Sequence, residues 1–173
     1  GSEEGREQLI VVRAVDDRFT VSVDSSGAPL HERGWRQATA RAPLRESVAA
    51  ALLTAARWDP TTPLVDPLCG SGTIAIEAAL RATGAAPAGQ RDLAFQSWPG
   101  FEPGTWASVI AEADRRVSEV GAVPPIVAAD RDAGAIEAAQ SNAQRAGVEA
   151  LIEWRRAPIA DLAPPAGVQA ESG

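Results

Sequence analysis

Asp66-Pro67-Leu68-Cys69-Gly70-Ser71-Gly72-Thr73-Ile74-Ala75-Ile76-Glu77-Ala78-Ala79 is the stretch that most restricts the fold of this chain. Leu64 and Val65 before it suit the end of a buried strand, and Ile74, Ile76, Ala78, Ala79 and Leu80 after it recur as in a helix. A strand, a turn through two glycines and a helix start together expose backbone N–H groups at the positive end of a helix dipole. Glycines there admit a ligand where a Cβ would collide. Asp66 falls at the carboxyl end of the strand, the usual ligand crevice of an open α/β sheet. The pattern points to a site for a nucleoside-containing cofactor.

Two cofactors fit the glycines. Gly70-x-Gly72-x-x-Ala75 satisfies the permissive dinucleotide fingerprint and leaves a nicotinamide-dependent oxidoreductase open. An acidic residue directly before the glycines instead suits a ligand carrying a cationic amino group, such as S-adenosyl-L-methionine. A glycine turn without any ligand, in a non-catalytic binding or scaffold module, is the third alternative.

The stretch resembles motif I of the S-adenosylmethionine-dependent methyltransferases, in the Asp-Pro-x-Cys-Gly-Ser-Gly form of those that methylate exocyclic amines of bases. Asp24-Ser25-Ser26-Gly27 followed by Leu30-His31-x-Arg33-Gly34-Trp35-Arg36 resembles the link between a THUMP-type RNA-binding region and the catalytic domain in one such family. That family comprises the guanine-N2 methyltransferases of bacterial 23S ribosomal RNA and their tRNA relatives. The resemblance covers nearly the whole chain. It implies an α/β fold, a Rossmann-like doubly wound parallel sheet ending after about three strands. Residues 1–30 would be a hairpin and linker from an upstream RNA-binding region, and residues 31–173 an incomplete cofactor-binding domain.

The remaining segments are consistent with this layout. Leu9–Val15 and Arg18–Asp24 are β-rich runs around Asp16-Asp17, a hairpin that needs something to pack on. Pro43 is expected to open a helix with Leu44, Val48, Ala51, Leu52 and Ala55 on one face. The irregular stretch Gly84–Gly104 carries Phe95, Trp98 and Phe101, and reads as an aromatic-anchored cover over one end of the sheet or as a purely structural insertion. A helix capped by Thr105 follows, with Trp106, Val109, Ile110, Ala113 and Val117 on one face. Pro125–Ala129 is a second strand ending at Asp130, placed to take both hydroxyls of a ribose. Ala133–Ala146 is a helix closed by Gly147, and Leu151–Trp154 a third strand.

By resemblance, the cofactor contacts are Asp66, Pro67, Cys69, Gly70, Ser71 and Gly72 in the turn, Asp130 with Arg131, and Ala42 and Leu44 before the first strand. Asp161 matches the acceptor of the adenine amine. Amino-group methyltransferases also need an Asn/Asp-Pro-Pro-aromatic tetrapeptide to orient the target amine and stack on the extruded base. Val123-Pro124-Pro125-Ile126 and Ala163-Pro164-Pro165-Ala166 lack both the acceptor and the ring. The catalytic motif is therefore expected beyond Gly173, with no catalytic residue in this chain.

Composition sets bounds. A hydrophobic content of 45% and a charged content of 23% describe a globular chain. No run approaches the roughly 20 apolar residues of a membrane span. One Cys and one His make a metal site an unpromising expectation, and the lone Cys suggests the cytoplasm. Met is absent, so Gly1-Ser2 is expected to be a cloning scar or an internal cut in a longer protein. A net charge of −7 argues that an RNA substrate, ribosomal or transfer, would be held mainly by domains outside this chain.

Overall fold

The computed structural model describes residues 8–36, 44–86 and 91–162. Its centre is a parallel sheet of β3 (Leu64–Asp66), β4 (Ile126–Asp130) and β5 (Ile152–Arg156), in that spatial order. The register pairs Leu64 with Ile126 and Ile126 with Ile152, so the carboxyl ends of the strands lie side by side. β4 is the central strand, and Ile126, Val127, Ala128 and Ala129 are all buried, as a parallel strand covered on both faces requires.

Helices α2 (Thr73–Ala82) and α4 (Ala133–Ala146) pack on this sheet and on each other, and α1 (Glu46–Ala55) packs on α2. Asp132 caps α4 by accepting the Gly134 N–H at 2.9 Å, and Gly147 ends it with φ 74°. β5 begins after a single 3₁₀ turn at Glu149–Leu151 that takes Leu151 out of the expected strand; the strand then runs on to Arg156.

Three expectations change. On α1 the buried residues are Glu46, Ala49 and Leu53, while Val48 and Leu52 stay 41% and 48% exposed. An ion pair sets that face, because Arg36 Nε meets Glu46 Oε1 at 3.1 Å and draws this carboxylate inward. The helix also starts at Glu46 rather than near Pro43, which lies outside the described residues. The helix expected at Thr105 is α3 (Pro103–Glu119), where proline at the first position presets φ and Glu102 precedes it without a side-chain cap.

The aromatic insertion packs on itself and on the hairpin segment. Phe95 meets Phe101 and Trp106 edge-on, at ring-centre distances of 5.8 and 5.2 Å. Its backbone N–H donates to Ser25 O at 3.1 Å, and the indole N–H of Trp98 donates to the Gln8 side chain. These bonds tie the insertion to the segment around the hairpin β1 (Ile10–Val15) and β2 (Arg18–Val23). Asp16 and Asp17 at φ 48° and 58° form the hairpin's turn, and every residue of both strands is exposed.

Candidate functional site

The glycine turn is built by hydrogen bonds to the end of β4. Cys69 N–H donates to Ala129 O at 2.9 Å and Gly70 N–H to Asp130 Oδ2 at 3.1 Å. Asp130 Oδ1 accepts the Asp132 N–H at 3.0 Å, so one carboxylate joins the turns after β3 and β4. Each oxygen keeps a second lone pair with which it can accept from a ligand hydroxyl.

The two glycines answer different demands. Gly70 has φ 52°, and among the described residues nothing lies within 4 Å of where its Cβ would stand. Gly72, with φ 81°, precedes the first residue of α2, and a Cβ there would meet Ala139 Cβ at 2.9 Å and Trp154 Cη2 at 3.2 Å. Gly70 leaves room for a ligand, whereas Gly72 lets α4 and β5 close on the turn. Gly72→Ala should therefore cost about 1–3 kcal/mol in crowding beyond about 1–2 kcal/mol for the left-handed backbone. Gly70→Ala should cost only the latter. Urea denaturation of the two variants checks this order.

Asp66 is buried to 8% exposure, and among the described residues its one hydrogen bond is the Leu68 N–H at 3.3 Å. Among the described residues no cation pairs with it. Burial pushes its pKa up, against the Leu68 bond, and the nearby Asp130 carboxylate adds to the rise. A buried, unneutralised carboxylate beside the amino end of a helix is suited to a cationic group delivered by a ligand. Cys69 is different. Burial, with smaller effects from Asp66 and Asp130, pushes its thiol up to about 12, and Sγ lies 3.7 Å from Gly70 O. It is a packed thiol rather than a nucleophile.

The structure thus brings Asp66, Pro67, Cys69, Gly70, Ser71, Gly72 and Asp130 together at the carboxyl end of the sheet. Leu44 joins them through its carbonyl, which accepts from Arg36 Nη2 while the same nitrogen donates to Thr73 Oγ1 at 2.8 Å. Arg131 is exposed beside Asp130. Asp161 is exposed in the turn Ile159–Asp161 after β5, held near the end of β4 by Ala157 N–H donating to Asp130 O at 3.1 Å. Ala42 lies outside the described residues.

The scaffold behind the site was not foreseen. The link Leu30–Arg36 is clamped: Trp35 is 3% exposed, and Arg33 grips Glu77 of α2 with Nε–Oε1 2.7 Å and Nη2–Oε2 3.1 Å. A carboxylate amid Ile-Ala-Ile-Glu-Ala-Ala was the available signal, since a buried Glu demands a cation. Arg145 Nε donates to Trp35 O at 2.8 Å, and Asn142 Nδ2 to Ser71 O at 3.2 Å. Asn142 was marked only by its match to the family's helix after the second strand, and Arg145 only by helical spacing.

Residues 33–170 match the family described as RMKL-like, methyltransferase domain. The chain belongs to that family. Over 166 residues it is 42% identical to ribosomal RNA large subunit methyltransferase K/L of Vibrio parahaemolyticus, covering 93% of this chain and 23% of that relative. Among solved structures, SMU.472 in complex with SAH superposes with a TM-score of 0.81 at 33% identity, over 94% of this chain and 42% of the other. A predicted N6-adenine-specific DNA methylase from Listeria monocytogenes gives 0.82 at 39% identity, over 90% and 40%. The chain thus spans under a quarter of the curated relative and under half of each solved one. The fold is Rossmann-like, of the methyltransferase kind, and family membership removes the nicotinamide-dependent oxidoreductase. Among the described residues, no helix is long and apolar enough to cross a membrane, and no group of three or more His, Cys, Asp or Glu is placed to hold a metal ion.

Proposed function

We propose that this RMKL-like methyltransferase domain binds S-adenosyl-L-methionine and is the cofactor-holding part of an RNA methyltransferase acting on guanine N2 in ribosomal or transfer RNA. The observation that carries the cofactor is Asp66, a buried carboxylate lacking a cation among the described residues, next to open space at Gly70. Asp66 takes the amino group of the cofactor, Asp130 the ribose hydroxyls, and Asp161 the adenine amine. Pro67, Cys69, Ser71, Gly72, Arg131 and Leu44 line the site through backbone and contact surface, and Ala42 is assigned to it by the family resemblance alone. S-adenosylmethionine, when bound, supplies an electrophilic methyl group on a sulfonium. The residues of this chain hold and orient it, so their contribution is positioning.

The RNA substrate is supported by the name of the Vibrio relative, and the cofactor by the SAH in SMU.472. Amine positioning is assigned to a segment outside this sequence, which contains no Asn/Asp-Pro-Pro-aromatic tetrapeptide. The 173-residue chain alone should accordingly transfer no methyl group, while the chain joined to its adjoining coding sequence should label unmodified ribosomal or transfer RNA. Transfer of tritiated methyl to RNA and to duplex DNA tests this. Label in guanine N2 of RNA is the expected result. Label confined to DNA adenine would overturn the substrate, and no transfer with no cofactor binding would favour a non-catalytic module.

A further inference from the structure

Asn142 lies on α4, one turn after Ala139, and is fully buried. Its Nδ2 donates to Ser71 O at 3.2 Å, inside the glycine turn. Its Oδ1 accepts from Arg145 Nη2, and Arg145 also donates Nη1 to Ser141 Oγ at 2.8 Å and Nε to Trp35 O at 2.8 Å. A guanidinium can only donate, so it holds Oδ1 toward itself and leaves the amide N–H₂ facing Ser71 O. The amide orientation therefore follows from chemistry rather than from a choice between two similar atoms.

Ser71 is buried, so its carbonyl depends on a protein donor. That carbonyl belongs to the peptide plane leading into Gly72, whose φ of 81° aims the first turn of α2. Ala139 abuts Gly72 from the same helix, closing off the space behind the plane. Two residues of α4 thus bear on one peptide, Ala139 by contact and Asn142 by a hydrogen bond. A flip of that plane would strand a buried carbonyl and reorient the N–H groups that open α2.

We propose that Asn142 is a positioning residue for the cofactor turn, keeping the Ser71–Gly72 peptide in its ligand-ready orientation, with Arg145 and the Trp35 carbonyl of the linker holding Asn142 in place. The proposal rests on the cofactor reading for its effect on affinity, but not for its effect on the turn itself.

Asn142→Asp is the sharpest variant. A carboxylate has the same shape and keeps the Arg145 contact, yet offers no hydrogen to Ser71 O. Ile136→Val, on the same buried face of α4 and not bonded to Ser71, is the control for a general loss of packing. Amide hydrogen exchange of Gly70–Thr73 and calorimetric titration with S-adenosylhomocysteine are both read at a temperature where each variant is folded. Asn142→Asp should speed exchange in Gly70–Thr73 at least tenfold and weaken S-adenosylhomocysteine at least tenfold, with Ile136→Val within threefold of the parent on both. Asn142→Ala, which also removes the donor, should behave likewise if the aspartate variant does not fold. Unchanged exchange in a folded variant, or equal changes in Ile136→Val, would overturn the proposal. Absence of S-adenosylhomocysteine binding by the parent chain would sink the cofactor reading alone, and hydrogen exchange would then decide the role of Asn142.

Discussion

Asp66→Asn should raise the melting temperature of the ligand-free chain and weaken S-adenosylhomocysteine binding tenfold to more than a hundredfold. The two effects share one cause. Burial and Asp130 raise the Asp66 pKa above its ordinary 3.8, so the folded state holds this proton more tightly than the unfolded chain. Stability therefore falls as pH rises from 3.8 through the elevated value, and the penalty is complete only above that value. Asparagine removes the charge and keeps an oxygen for the Leu68 N–H. It also removes the partner for a ligand ammonium, and a charge-assisted hydrogen bond is worth roughly 1.5–3 kcal/mol. Thermal melts with calorimetry check both halves. The same sign gives a pH profile: affinity for S-adenosylhomocysteine should decline as pH falls through the Asp66 pKa, and this decline should vanish in the variant.

Arg33→Ala is expected to destabilise the chain by about 3–5 kcal/mol, the cost of leaving one member of a buried ion pair behind. Arg33 and Glu77 are 14% and 6% exposed, and burial pushes the Glu77 pKa up even against the lowering pull of Arg33. The carboxylate is thus already costly with its partner in place. Replacing both by Met should be close to neutral, since apolar side chains of similar volume have no desolvation debt. Urea denaturation of the single and double variants measures the difference. A loss below about 1 kcal/mol for Arg33→Ala would mean that the linker is not clamped to α2.

The site was legible because its residues are local. Asp66, Gly70 and Gly72 lie within one turn of chain, and Asp130 ends an apolar run, so spacing alone placed them at the carboxyl ends of adjacent strands. The face of α1 was not legible. Val48 and Leu52 follow helical spacing, but the Arg36–Glu46 pair decides which side turns inward, and no periodicity reports a cation ten positions away. Trp35 and Asn142 were obscure for the same reason: their partners, Arg145 and Ser71, are distant in sequence. The aromatic insertion announced its rings but not its docking partner, because Ser25 and Gln8 contribute a carbonyl and an amide that carry no pattern.

The central claim is that this fold holds S-adenosylmethionine through Asp66 and Asp130. Calorimetric titration of the chain and of Asp130→Ala with S-adenosylhomocysteine, with NAD as the competitor ligand, tests it most directly. Saturable S-adenosylhomocysteine binding, none of NAD, and a roughly ten- to hundredfold loss in folded Asp130→Ala are expected. NAD binding without S-adenosylhomocysteine binding, or unchanged affinity in the folded variant, would contradict the account.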